Sequence, residues 1–101
     1  MSLDGYEDKR IIAIYGGGDV GKDFFMQVMR RPELKLACWV DGNYEKLGYP
    51  LQSPDMLKEA EFDIVLIAVS DRGVAESIKH TIIDMGIPEE KVVWNEYVQV
   101  I

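Results

Sequence analysis

An apolar run that ends in closely spaced glycines is the feature that most constrains how this chain can fold. Residues 11–15 read Ile-Ile-Ala-Ile-Tyr, and a segment with helical periodicity follows the glycines. Gly16, Gly18 and Gly21 have the G-x-G-x-x-G spacing of a dinucleotide-binding turn. In such a turn the first glycine allows the bend, the second lets the backbone approach a pyrophosphate, and the third lets helix and strand pack closely. The sequence therefore predicts a strand, an anion-binding turn and a helix, in that order.

Length, charge and cysteine content narrow the class of protein. The chain has 101 residues, enough for one domain, and its net charge of −7 argues against nucleic acid or an anionic membrane surface as a partner. One cysteine excludes an internal disulfide and fits the reducing cytoplasm. No apolar run approaches the roughly 18 residues of a membrane span. We expect a flexible tail over residues 1–8 and a Rossmann-like nucleotide-binding domain over residues 9–101.

Apolar runs alternate with segments of helical period along the whole chain, which is typical of βαβ units. The pattern predicts strands at residues 11–15, 35–40, 48–51, 63–69 and 91–94, with a sixth beginning at 97–101. It predicts helices at about 19–31, 53–60 and 72–85. Right-handed crossovers arrange the first five strands as a doubly wound parallel sheet in the order 3-2-1-4-5. Ligands bind such sheets where the strand order reverses, so the glycine turn is expected beside Ser70 and Arg72.

The helical period also predicts which side chains face the core. On the first helix these are Val20, Phe24, Val28 and Met29, and on the third they are Val74, Ile78, Ile82 and Met85. Cys38 is expected to pack in the core, and His80 is expected to face solvent.

An acidic residue stands where a dinucleotide fold places its ribose contact. Asp41 lies at the end of the second predicted strand, about twenty residues after the glycine turn, where a carboxylate can accept hydrogen bonds from ribose hydroxyls and repel a 2′-phosphate. Asp19 would oppose a pyrophosphate, and Arg72 is the candidate for a phosphate clamp. The predicted cofactor-binding residues are Gly16, Gly17, Gly18, Asp19, Val20, Gly21, Asp41, Ser70 and Arg72.

The sequence matches a P-loop less well than a dinucleotide-binding turn, and it lacks the common catalytic motifs. Gly16 through Lys22 matches most of a P-loop, but Asp23 stands where that motif needs a hydroxyl, and its carboxylate would face the phosphates. The sequence contains no Tyr-x-x-x-Lys pair, no nucleophile elbow and no Cys or His cluster with metal spacing. We therefore expect a binding module with no catalytic residues and no metal site.

Several segments in series carry a family resemblance. After the glycine turn come Trp39-Val40-Asp41-Gly42-Asn43, Gly48-x-Pro50-Leu51, Ser53-Pro54-x-x-Leu57, Asp63–Ala68 and Gly86-Ile87-x-x-x-Lys91-Val92. From residue 10 to about 96, this series resembles the Rossmann-like nucleotide- or nucleotide-sugar-binding domains of bacterial polysaccharide-biosynthesis proteins. Those domains precede membrane-associated sugar 4,6-dehydratases and sugar O-acyltransferases, and are attached to some sugar methyltransferases.

The resemblance implies where a nucleotide would bind and what else the protein would contain. By matching position it assigns the nucleotide site to Gly16, Gly18, Gly21 and Asp41. A second acidic residue often follows the first in that family, whereas Gly42 and Asn43 follow here. The implied function is a non-catalytic module that binds NAD or a nucleotide sugar, with catalysis on an additional domain.

Two other hypotheses remain open. The chain could be the NAD-binding half of an oxidoreductase, in which case a substrate domain would accompany it. It could instead be a scaffold or sensor that forms a homodimer through the predicted strand at Tyr97–Ile101.

Overall fold

Strands and helices alternate along residues 10–94, the part of the chain that the computed structural model describes. Its strands are β1 (Ile11–Tyr15), β2 (Lys35–Val40), β3 (Ile64–Ile67) and β4 (Val92–Val93); its α-helices are α1 (Asp19–Arg30), α2 (Tyr44–Leu47) and α3 (Arg72–Asp84). Short 3₁₀ helices occupy Pro54–Lys58 and Glu89–Lys91. None of these helices is long and apolar enough to cross a membrane. The predicted tail at 1–8 and the predicted sixth strand at 97–101 lie outside the described residues.

The strands form an all-parallel sheet in the order β2-β1-β3-β4, compatible with a Rossmann-like α/β fold. The predicted five-strand order 3-2-1-4-5 is wrong for the described residues, because residues 48–51 do not form a strand. Gly48 has a φ of +81° and ends α2, and a turn follows in which the Leu51 N–H donates to the Gly48 carbonyl at 3.1 Å. Pro50 has no N–H to offer a neighbouring strand. Only a single parallel bridge, between Val40 and Gln52, remains at that edge.

Both faces of the sheet are covered, which explains why its strands are continuously apolar. Alternate residues of β1 point to opposite faces. Ile12 and Ile14 pack with Phe24 of α1 on one face. Ala13 and Tyr15 pack with Ile82 of α3 and with the Pro54–Lys58 helix on the other. The result is a three-layer domain whose loops meet at the carboxyl ends of the strands.

The core faces of the two long helices differ from the prediction at two positions. Met29 is 52% exposed and Val74 is 48% exposed. Met29 lies one residue, or about 100° around the helix, from Val28, which is buried as predicted. Val74 likewise adjoins Ala75, which is buried in its place. The buried stripe of α3 therefore includes Ala75 and Ile82, separated by two helical turns.

Candidate ligand-binding site

A cleft of about 340 Å³ opens at the carboxyl end of β1. Here the chain passes from β1 to α1 on one face of the sheet, and from β3 to α3 on the other face. The cleft is lined by the glycine loop from Gly16 to Val20, by Asp41 after β2, and by Ala68, Val69 and Ser70 after β3. The structure thus brings together most of the residues that the sequence singled out. Gly21 and Arg72 do not line this cleft.

Gly16 is held by two residues of β2 and packs closely on Ala68, which follows β3. Its N–H donates to the Val40 carbonyl at 2.8 Å, and its own carbonyl accepts the indole N–H of Trp39 at 2.6 Å. Its φ is +131°, and a Cβ atom here would lie 2.6 Å from the Ala68 carbonyl oxygen. The Trp39 ring is itself stacked on Phe25 with ring centroids 4.7 Å apart. Only glycine fits at this position, and the turn it makes is rigidly held.

The other two motif glycines have different tasks. A Cβ atom on Gly21 would overlap the carbonyl oxygen of Gly16, so the first turn of α1 packs directly on the end of β1. Gly18 is the N-cap of α1, and a Cβ atom there would meet nothing within 4 Å. The third glycine therefore serves close packing, and the second leaves open space at the helix N-terminus.

Asp41 joins the end of β2 to the glycine loop. Its Oδ2 accepts the Gly17 N–H at 2.7 Å, and its Oδ1 accepts the Asn43 N–H at 2.7 Å. The second contact is an Asx turn, the conformation favoured at an Asp-Gly-Asn sequence. A carboxylate has about four lone-pair sites, so acceptor capacity remains on both oxygens after these two bonds. Asp41 can therefore hold the loop and still accept hydroxyl donors from the cleft.

The electrostatics of the cleft come from carboxylates and backbone dipoles. Its charged lining residues are Asp19 and Asp41, with no lysine or arginine among the described residues that line it. The first N–H groups of any α-helix have no intrahelical acceptor, and no side chain caps α1. An anion here would therefore depend on the α1 N–H groups. Nearby, burial and then the charge of Asp41 raise the pKa of Tyr15.

Arg72 lies in a different cleft. Its guanidinium carbon is 6.0 Å from the ring centroid of Trp94, and both residues line a cavity of about 390 Å³ between α3 and β4. The Trp94 indole donates to the Val69 carbonyl at 2.8 Å, which ties β4 to the loop after β3. The structure thus places Ser70 in the cleft at the glycine loop and Arg72, two residues later, in the cavity between α3 and β4.

Trp39, Leu47 and Leu51 contact the glycine loop, and none of the three was predicted from the sequence to belong to the site. A Cβ atom on Gly17 would lie 2.6 Å from Leu51 Cδ1 and 3.0 Å from Leu47 Cδ1, so these leucines pack against the loop. Helix α2, which carries Leu47, was not predicted either. A glycine four residues after Tyr44 is a helix C-terminal signal, and that signal could have indicated this short helix.

Cys38 and His80 are not suited to chemistry in the cleft. Cys38 is buried, and burial raises the pKa of its thiol to about 11, so it is a core residue and not a nucleophile at neutral pH. His80 is exposed on α3, as expected. Among residues 10–94 there is no group of three or more His, Cys, Asp or Glu side chains that could hold a metal ion.

The all-parallel sheet and the helices on its two faces define a small α/β domain that is compatible with a Rossmann-like fold. The chain belongs to the family of C2185-like N-terminal domains, whose model matches residues 7–93. A comparison with curated proteins finds no match to the sequence.

Proposed function

We propose that this domain is a nucleotide- or nucleotide-sugar-binding module of a larger sugar-nucleotide or polysaccharide-biosynthesis enzyme. The observation that carries the proposal is the convergence of the glycine loop, Asp41 and Ser70 on one cleft at the carboxyl edge of the sheet. Those groups come from three separate segments of the chain. Their convergence is what a ligand site at the switch point of a parallel sheet requires.

Each part of the cleft suits one part of a nucleotide. The N–H groups of the first turn of α1 would bind a phosphate, because they lack intrahelical acceptors and lie at the positive end of the helix. The remaining lone pairs of Asp41 would accept ribose hydroxyls. Ser70 lines the cleft from the loop after β3, and its hydroxyl would contact the same ligand.

The resemblance to nucleotide-sugar-binding domains favours a nucleotide sugar, and it assigns catalysis to another domain of the full protein. The description of the matching family as an N-terminal domain agrees with that organisation. NAD is the second candidate. The observation that favours it is the contact between Gly21 and the Gly16 carbonyl, because this is the packing role of the third glycine in a dinucleotide turn.

A thermal-shift panel of NAD, NADP, UDP-sugars, CoA and GTP tests the proposal. A ligand at about 100 times its dissociation constant stabilises the fold by about 2.7 kcal/mol, which gives a measurable rise in Tm. Stabilisation by UDP-sugars supports the leading proposal, and stabilisation by NAD alone supports the oxidoreductase alternative. If no member of the panel raises Tm, the binding proposal is wrong.

A further inference from the structure

The peptide unit between Gly16 and Gly17 is held at both of its polar groups by side chains from the end of β2. Trp39 donates its indole N–H to the Gly16 carbonyl at 2.6 Å, and Asp41 accepts the Gly17 N–H at 2.7 Å. The carbonyl and the N–H of a trans peptide unit point in opposite directions, so the two side chains hold opposite edges of one plane. Glycine adopts positive and negative φ about equally, so a Gly-Gly unit turns over easily unless it is held. Trp39 and Asp41 together fix its orientation.

Trp39 also contacts the helix whose N-terminus would bind a phosphate. Its ring is stacked on Phe25, in the second turn of α1, with 4.7 Å between the ring centroids and 19° between the ring planes. Its Nε1 would lie 3.2 Å from a Cβ atom on Gly21, in the first turn. Trp39 is only 6% exposed and does not line the cleft. One buried side chain thus adjoins the glycine loop and the first two turns of α1.

We propose that Trp39 is a positioning residue for the phosphate of the ligand. This inference rests on the proposed function, because it takes the phosphate to bind at the first turn of α1. The indole N–H holds the Gly16–Gly17 peptide unit in one orientation, and the stack on Phe25 holds the indole against α1. The loop and the helix N-terminus are then ordered before the ligand arrives, so binding requires less ordering of the protein.

The indole N–H, and not the bulk of the side chain, is the feature that indicates this role. Packing on Phe25 needs only an aromatic ring, which a phenylalanine would also supply. Gly16 has a second anchor, since its own N–H donates to the Val40 carbonyl at 2.8 Å. Loss of the indole N–H would therefore leave the end of β1 in place and release the peptide unit that follows it.

Calorimetric titration with UDP, ADP, uridine and adenosine tests this role in the full chain, as wild type and as Trp39→Phe. The substitution keeps an aromatic ring beside Phe25 and removes the indole N–H. We expect it to weaken both diphosphates about tenfold, an effect of the size of one hydrogen bond, and to leave the two nucleosides unchanged. A merely structural role would lower the free energy of unfolding without changing the ratio of diphosphate affinity to nucleoside affinity in the folded protein.

Trp94→Phe is the matched control. It removes the other indole N–H, which donates to the Val69 carbonyl at 2.8 Å, a bond that does not involve the glycine loop or α1. A second replacement at Trp39 uses 3-benzothienylalanine, in which a sulfur atom takes the place of the N–H and the shape of the ring system is kept. This replacement tests the N–H even if Trp39→Phe does not fold.

The outcomes separate this inference from the proposed function. If a diphosphate binds the wild type and the Trp39 variants equally well, the positioning role is wrong and the proposed function stands. Equal losses for diphosphates and nucleosides would also overturn the positioning role, as would equal losses of diphosphate affinity in Trp39→Phe and Trp94→Phe, because Trp39 would then act only through the stability of the domain. If neither diphosphate binds the wild type, the proposed function and the positioning role both fall.

Discussion

The carboxylate of Asp41 accepts the backbone N–H of Gly17 at 2.7 Å, and this bond joins the second strand to the loop that follows the first. This bond gives the acidic residue at this position a structural role in addition to the role that the sequence predicts for it. A carboxylate at the end of β2 is expected to serve the ligand, whereas here it also sets the shape of the loop that would bind the ligand. One side chain therefore links the stability of the loop to the ligand binding that we propose for it.

Asp41→Asn should both destabilise the fold and weaken ligand binding. An amide has one acceptor oxygen, so it cannot accept the N–H groups of Gly17 and Asn43 as a carboxylate does, and its NH₂ group would face one of them. Leaving one N–H without an acceptor costs about 1–3 kcal/mol, to be measured by urea unfolding.

Asp55→Asn is the control for that experiment, because it makes the same chemical change at an exposed side chain of the Pro54–Lys58 helix. Asp55 lies 3.8 Å from Lys58, a surface contact that contributes at most about 1 kcal/mol. Equal destabilisation by the two variants would contradict the role of Asp41 as a clamp.

The second and third glycines of the motif should respond in opposite ways to substitution. Gly21→Ala forces a Cβ atom onto the Gly16 carbonyl and should cost about 3 kcal/mol or more of folding free energy. Gly18→Val meets no neighbour within 4 Å, so it should cost only about 1 kcal/mol through the weaker N-cap. The valine would nevertheless occupy the space at the start of α1 and abolish the ligand-induced rise in Tm. A ligand shift that survives Gly18→Val would mean that the ligand binds elsewhere.

The features that were predicted correctly from the sequence are those that the hydrophobic pattern and the handedness of strand connections determine. The bounds of β1 and β2 are confirmed, as is the pairing of β1 with the strand predicted at residues 63–69, which is β3. Continuous apolar runs and right-handed crossovers constrain these features strongly. The strand predicted at residues 48–51 is wrong. The sequence around Gly48 and Pro50 is compatible with both a helix end and an edge strand, and the structure has the helix end. Arg72 illustrates a second limit. Its position after β3 was correct, but its side chain lies against Trp94, a contact with a residue 22 positions away that local periodicity does not encode.

Alkaline pH should lower the stability of the domain through Cys38. Burial raises the pKa of its thiol from 9.0 to about 11, so the folded state favours the neutral thiol. The associated stability is fully present below pH 9 and is lost as the pH rises from 9 through 11, at up to about 1.4 kcal/mol per pH unit. Tyr15, whose pKa is also raised from 10.0, adds a loss of the same sign.

Urea unfolding of the wild type and Cys38→Ala at pH 7, 9 and 10.5 measures this effect. The variant loses buried volume at every pH but carries no thiol, so the gap between the two proteins should narrow as the pH rises. A gap that stays constant from pH 7 to 10.5 would show that the thiol does not titrate differently in the folded and unfolded states.

Asp19 should set how strongly the cleft accepts phosphates. It lines the cleft at the first position of α1, where its charge opposes a diphosphate that the helix N-terminus would otherwise attract. Asp19→Asn is expected to strengthen UDP binding by about three- to tenfold at low ionic strength, with the gain fading as salt is added. Uridine, which carries no phosphate, should bind both proteins equally. Asp23→Asn is the control, since Asp23 lies one turn further along α1, accepts a hydrogen bond from Gln27 and does not line the cleft. An equal gain in UDP affinity from both substitutions would show that overall charge, and not the position of Asp19, controls phosphate binding.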